Sequence, residues 1–264
     1  MAETAIGPAV MMAREVQKEK FVATLTKRRR GGSMMEPKLL TSAKVEGGGH
    51  AGIRFRLEGE LTPILTLDLD PLSFVLFEHH TLLWKDPKTV ISATSPKTAR
   101  SFWGRPSWLM MASGPGSLSL SRDCVGKIFG VKLHDGNTLL APAPHFLAAS
   151  GAVHIESFSG GSDGPWVTGD TAPSVDRFSV AGDAEGLVWL HGHGDIWELT
   201  LAKGESLDLD PGAWIARDPS IQWEPIGLGS LSTDMAAGAN WGICRAQGPG
   251  TIWMQSGGVG PARW

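Results

Sequence analysis

The sequence predicts an all-β fold of three related units, and three observations carry that prediction. Apolar and polar or small residues alternate from about residue 45 onward, thirty-four glycines and seventeen prolines punctuate the alternation, and one strand-turn-strand pattern recurs along the chain. Alternation with a period of two sends successive side chains to opposite faces of a sheet, and glycine and proline at short intervals supply the turns between strands.

The N-terminal extension, residues 1–45, stands apart from this pattern. Residues 1–44 hold nine Lys and Arg against four Asp and Glu, whereas the whole chain carries a net charge of −3. Met11, Val16, Phe21 and Leu25 fall on one side of a helix predicted over residues 10–30, which ends in the basic run Lys27–Arg30. A basic amphipathic helix of this kind offers a peripheral contact with an anionic membrane or an acidic partner.

The first β unit is predicted over 46–112, opening with FRLEGELTPILTLDLD (55–70). The second spans 113–180, with GSLSLS (116–121) and KIFGVKL (127–133). The third spans 181–264, with GLVWLHG (186–192), DIWELTL (195–201) and the C-terminal closing strand GTIWMQS (250–256). The units are read as β-sandwich or double-stranded β-helix-like because TLDLDPLSFVLFEHHTLL (66–83), NTLLAPAPHFLAASGAVHI (137–155) and ESLDLDPGAWIARDPSIQW (205–223) superimpose. In that alignment Phe74, Phe146 and Trp214 coincide, as do Val75, Leu147 and Ile215. Repeated sheets must manage their edges by closure or by association, so self-association is expected.

Composition excludes several classes. A mildly acidic chain lacks the basic excess of a dedicated nucleic-acid binder, and cations are sparse around its tryptophans, so nucleic acid is not the expected partner, and a nucleic-acid-binding protein working through residues 27–30 and exposed tryptophans stands as a second alternative. Cys124 and Cys244 are the only cysteines, too few for a disulfide framework or a cysteine-based zinc site. No apolar run approaches the roughly 20 residues of a membrane-spanning helix. The first residues lack the order of a secretory signal, and a cytoplasmic location is expected.

Two glycine-proline-glycine segments, GPGSLSLS (114–121) and GPGTIWMQ (248–255), resemble phosphate loops at first sight. A phosphate loop leads into a helix whose N-terminus faces the anion, and here a strand pattern follows both times, so both are read as turns. The sharpest chemical candidate is GLVWLHGHGDIWELTLAKG (186–204). Its His191 and His193 share a strand face, and Glu198 follows in a Gly, His-x-His, Glu, Gly order comparable to a cupin metal site. These three residues define an alternative, a metal-dependent enzyme or small-molecule binder. The second cupin histidine is missing, with Trp214 in its place, so a structural role for the histidines is preferred and no catalytic, cofactor or metal residue is assigned. His79 and His80, adjacent on a predicted strand, point to opposite faces. Asp68, Asp70, Asp208 and Asp210 recur as LDLDP and read as turn-formers. Eleven tryptophans and no tyrosine favour packing and subunit contacts, with Trp189, Trp197, Trp214 and Trp253 on strands and Trp84 among those available to a contact.

The order FRLEGELTPILTLDLDPLSFVLFEHHTLLW, WLMMASGPGSLSLS, GKIFGVKLHDGNTLLAPAPHFLAAS, GLVWLHGHGDIWELTLAKGESLDLDPGAWIARD and GPGTIWMQS resembles the mitochondrial biogenesis family called altered inheritance of mitochondria twenty-four, over about residues 50–256. The resemblance implies a β fold like that of the tryptophan RNA-binding attenuation protein and a cyclic homo-oligomer, a trimer. It implies a non-enzymatic scaffold or interaction role beside a membrane-bound complex, and it transfers no catalytic residues.

Overall fold

The computed structural model describes residues 37–40, 45–50, 52–94, 100–102, 105–107, 109–122, 124–158, 174–226 and 243–257. The helix expected over residues 10–30 lies outside them. Among the described residues the chain is all-β, with short 3-10 turns and no α-helix.

The chain begins with β1 (Lys38–Leu40), β2 (Val45–His50), β3 (Ile53–Glu58), β4 (Ile64–Leu69) and β5 (Phe74–Glu78). A 3-10 turn at His79–Thr81 leads into β6 (Leu82–Lys85), β7 (Val90–Ala93), β8 (Arg100–Phe102), β9 (Arg105–Ser107), β10 (Leu109–Ser113) and β11 (Gly116–Leu120). Next come β12 (Gly126–Leu133) and β13 (Thr138–Pro142), a 3-10 turn at Ala143–His145, then β14 (Phe146–Ser150), β15 (His154–Phe158), β16 (Val175–Ser179) and β17 (Gly186–His193). The last part holds β18 (Ile196–Leu201) and β19 (Ser206–Leu209), a 3-10 turn at Pro211–Ala213, then β20 (Trp214–Arg217), β21 (Gln222–Ile226), β22 (Ile243–Gln247) and β23 (Gly250–Gln255).

Strand pairing follows one order in three stretches of chain. β11 pairs with β4 and β6, and β10 with β5 and β7. Further on, β17 pairs with β12 and β14, and β16 with β13 and β15. Last, β23 pairs with β18 and β20, and β22 with β19 and β21. Each of these pairings is antiparallel. Phe146 and Trp214 open the strand after a 3-10 turn, but Phe74 lies in the strand before one. Leu82 holds the place that the sequence alignment assigns to Phe74, so that alignment is one strand out in its first copy.

Two further pairings join the stretches: β14 lies beside β5, and β20 beside β13. They produce a six-stranded sheet, β12-β17-β14-β5-β10-β7, and a seven-stranded one, β1-β18-β23-β20-β13-β16-β15. A five-stranded sheet, β2-β3-β4-β11-β6, and a three-stranded one, β19-β22-β21, end at β6 and β19.

Strand β17 of the six-stranded sheet is buried on both faces. Leu187 and Trp189 of β17 join one apolar cluster with Leu65, Leu67 and Leu118 of the five-stranded sheet. Val188 and Leu190, one residue out of phase, join the other cluster with Phe178, Ile215 and Trp253 of the seven-stranded sheet. Period-two geometry therefore feeds two cores from one strand, which is why GLVWLHG reads as a nearly continuous apolar run. Trp189 is fully buried and meets the Phe55 ring edge-on at 5.6 Å between centroids.

Both glycine-proline-glycine segments are turns between strands, β10 to β11 and β22 to β23. The Gly114–Pro115 and Gly248–Pro249 peptides are cis. Glycine is required by close approach: a Cβ on Gly114 would lie 2.2 Å from the Asp70 carbonyl oxygen, and one on Gly248 would lie 2.5 Å from that of Ala202.

Candidate functional site

Buried, ionisable side chains gather where the five- and six-stranded sheets meet. His191 lies near the end of β17, and the 3-10 turn before β14 carries His145. Arg122 follows β11. Its Nη2 donates to the Phe146 carbonyl at 2.5 Å, and its Nη1 lies 2.8 Å from His80 Nε2, which accepts from it. One guanidinium thereby ties the end of β11 to the start of β14 and to the turn after β5.

His145 Nδ1 donates to the His191 carbonyl at 2.9 Å, which assigns its tautomer. His191 Nδ1 is 4.0 Å from Cys124 Sγ, and its buried Nε2 has no partner among the described residues. That edge of the ring faces Gly126, where a Cβ would stand 2.8 Å from both Cε1 and Nε2. Burial pushes the His145 imidazole down to about 3 against the opposing bond to the His191 carbonyl, with the Arg122 guanidinium and then His193 acting in the same direction as burial. His191 is lowered to about 3 by the same causes in the same order, with His145 adding to them. Both rings are therefore neutral at physiological pH. The Nε2 edge of His191 is buried against Gly126, within the seam between the two sheets.

The candidate metal set is only partly assembled. His191 and His193 do share a strand face, their rings edge-on at 5.6 Å. Glu198 lies on β18, directly opposite Trp253, and its Oε2 accepts from the indole Nε1 at 3.0 Å. The His193 amide donates to Gln255 Oε1. Among the described residues, the group of three with ligand atoms all within 4.8 Å of one another is Glu78, His79 and His80, not His191, His193 and Glu198.

That group corrects the reading of His79 and His80. They lie on a 3-10 turn closed by Thr81 Oγ1 donating to the Glu78 carbonyl at 2.7 Å, so their rings come within 5.3 Å instead of parting to opposite faces. His80 Nε2 is engaged by Arg122, and a guanidinium beside a dication opposes binding. The turn at HHTL takes the place in the strand order of those at APHF and PGAW, which share only an apolar last residue with it. The tight role of Arg122 has no motif.

The LDLDP aspartates occupy unlike places. Asp210 caps the turn before β20, its Oδ1 accepting from the Gly212 amide at 2.6 Å, whereas Asp70 ends β4 and bonds through its backbone to Gly52 and Ser73. Asp208 forms a two-pronged pair with Arg245 at 2.6 and 2.8 Å, which holds its carboxyl below the usual range. Burial and the nearby Asp210 push the Cys244 thiol up to about 11, leaving it protonated and unreactive.

Fold and seam define a protein of stacked antiparallel sheets, with a buried arginine, Arg122, bonded from the end of one sheet to the next. The chain belongs to the family described as Mitochondrial biogenesis AIM24, whose model matches residues 55–257. Among solved structures it is similar to protein SPYM3_0169 from Streptococcus pyogenes, at 15% identity and a TM-score of 0.61, covering 78% of this chain and 94% of that one. That likeness shows the fold alone. No curated protein matches the chain.

Proposed function

We propose that this chain is a non-enzymatic scaffold or protein-interaction component that assembles with copies of itself into a cyclic homo-oligomer, a trimer in the simplest case. The observation that carries the reading is the placement of large apolar side chains in solvent. Leu72, Leu83, Trp84 and Val90 are 98, 49, 55 and 64% exposed in one stretch of chain around β5–β7, while the imidazoles of His145 and His191 are spent inside a seam. Exposed apolar side chains gathered this way mark contact surfaces.

The repeated order of pairing supports a chain of three related units, over about 64–120, 126–193 and 196–255. These limits differ from 46–112, 113–180 and 181–264 because they follow the strands that share hydrogen bonds. The basic residues 10–30 are proposed to reach an anionic membrane or an acidic partner, placing the assembly beside a membrane-bound complex. Among the described residues no helix is long and apolar enough to cross a membrane.

Copurification from the native host, followed by mass measurement of the intact complex, tests the reading. A multimer bearing a partner is the expected result. A lone chain at every concentration would overturn it.

A further inference from the structure

We infer that the outer edge of β6 is a docking strand for the outer edge of β19 of a second copy of this chain, an inference that rests on the self-assembly reading above. The argument comes from the two junctions already closed within the chain. β14 pairs with β5, and β20 with β13, each joining the strand after a 3-10 turn to the strand before the previous turn. The scheme calls for a third junction of the same kind, and its two halves are β6 and β19. Both end their sheets, in separate sheets.

The register is the same at both closed junctions. At the first, Ala149, the fourth residue after its turn, faces Leu76, the third residue before the preceding turn. At the second, Arg217 and Leu140 hold those same places and face each other. Transferred to the open edges, this register sets Lys85 against Asp208. One step along, as Ala148 faces Phe77, Trp84 is set against Leu209. Opposite charges meet at one position and two apolar side chains at the next, which is the pairing that stabilises antiparallel strands. The reach of Asp208 is fixed beforehand, because Arg245 holds it from the neighbouring strand β22.

Burial gives independent support. The second residue of β6, β14 and β20 sits at a break in register against β11, β17 and β23, the same irregularity three times. At that position Leu147 and Ile215 are fully buried, yet Leu83 is 49% exposed. At the next position Ala148 and Ala216 are fully buried, yet Trp84 is 55% exposed. The edge left open exposes apolar side chains at places the closed junctions cover. Because β6 and β19 are different surfaces, the contact is head to tail and closes into a ring only where the rotation per copy allows.

Cysteine cross-linking of full-length protein tests this. Under mild oxidation, a chain carrying both Lys85→Cys and Asp208→Cys is expected to give a ladder of linked multimers on non-reducing gels. A mixture of the two single variants is expected to give two-chain species, and neither single variant a ladder. Lys85→Glu, which sets a second carboxylate against Asp208, is expected to weaken assembly about tenfold. A wild-type multimer without the 85–208 link would overturn this edge and leave self-assembly standing, as would a link formed only within one chain. A wild-type single chain at all concentrations would overturn both.

Discussion

Lowering the pH from 7 to 5 should destabilise this protein through His145 and His191. An imidazole with an ordinary value of 6.5 in the unfolded chain, held near 3 in the folded one, binds more protons when unfolded throughout that interval. The stability contributed by each ring is thus complete above about 6.5 and is lost as pH falls toward 3. Integrated from pH 7 to 5, the loss is about 2 kcal/mol per ring and about 4 kcal/mol for both. Any folded-state value below about 4 yields the same figure. The groups facing these rings are Arg122, His193 and Cys124, with His80 behind the guanidinium. His145→Asn keeps an N–H donor for the His191 carbonyl and removes one titration. Urea unfolding of wild type and variant at both pH values supplies the assay, because subtracting the two cancels every other titrating group. The variant should lose about 2 kcal/mol less than the wild type. Equal losses, or a native His145 resonance titrating near 6.5, would refute the reasoning.

Five other outcomes follow. Gly126→Ala would bring a Cβ to 1.9 Å from the Gly192 carbonyl in the β12–β17 ladder, and should cost about 3 kcal/mol or more in denaturant unfolding. Gly136→Ala, at φ +79° with nothing within 4 Å, should cost only about 1 kcal/mol. Arg122→Leu removes the guanidinium bond to the Phe146 carbonyl, and should lower stability by roughly 2 kcal/mol while raising the folded-state values of His145 and His191, read by NMR titration. Trp189→Ala, fully buried on β17, should cost about 3–5 kcal/mol and lower the melting temperature accordingly. His193→Ala should leave the zinc, iron and manganese content of purified protein unchanged.

Strands were legible in this sequence wherever one residue in two is apolar, as in DIWELTL, and turns wherever glycine meets proline. Both signals are local, arising from backbone geometry and side-chain alternation. The pairing of β14 with β5 is not local, and no feature of FLAAS or FVLFE states it. The alignment through Phe74 followed aromatic identity and slipped one strand, while the better guide was the 3-10 turn, which carries HHT, APH and PGA with little in common. For the candidate site, the shared face of His191 and His193 could be read from their spacing. That Glu198 would be taken by Trp253, and that Arg122 would reach the turn at His80, depend on partners 55 and 42 residues away in sequence.

Whether the open edge closes on another chain is decided by magnitude. Covering the exposed parts of Leu83 and Trp84 removes about 200 Å² of apolar surface from water, a gross gain of about 5 kcal/mol. Holding two chains together costs an estimated 4–15 kcal/mol before any contact is made. The apolar pair alone therefore leaves association near balance. The remaining stabilisation has to come from edge hydrogen bonds between β6 and β19 and from Lys85 facing Asp208, which Arg245 already holds at the surface. A charge pair at an exposed edge is screened within about 8 Å at physiological ionic strength. Assembly should accordingly weaken on dilution and when salt rises from 0.05 to about 0.5 M, a range over which screening tightens severalfold. Sedimentation at several concentrations and both salt levels reads this directly. An assembly insensitive to both would mean that a larger, drier surface than this edge holds the copies together.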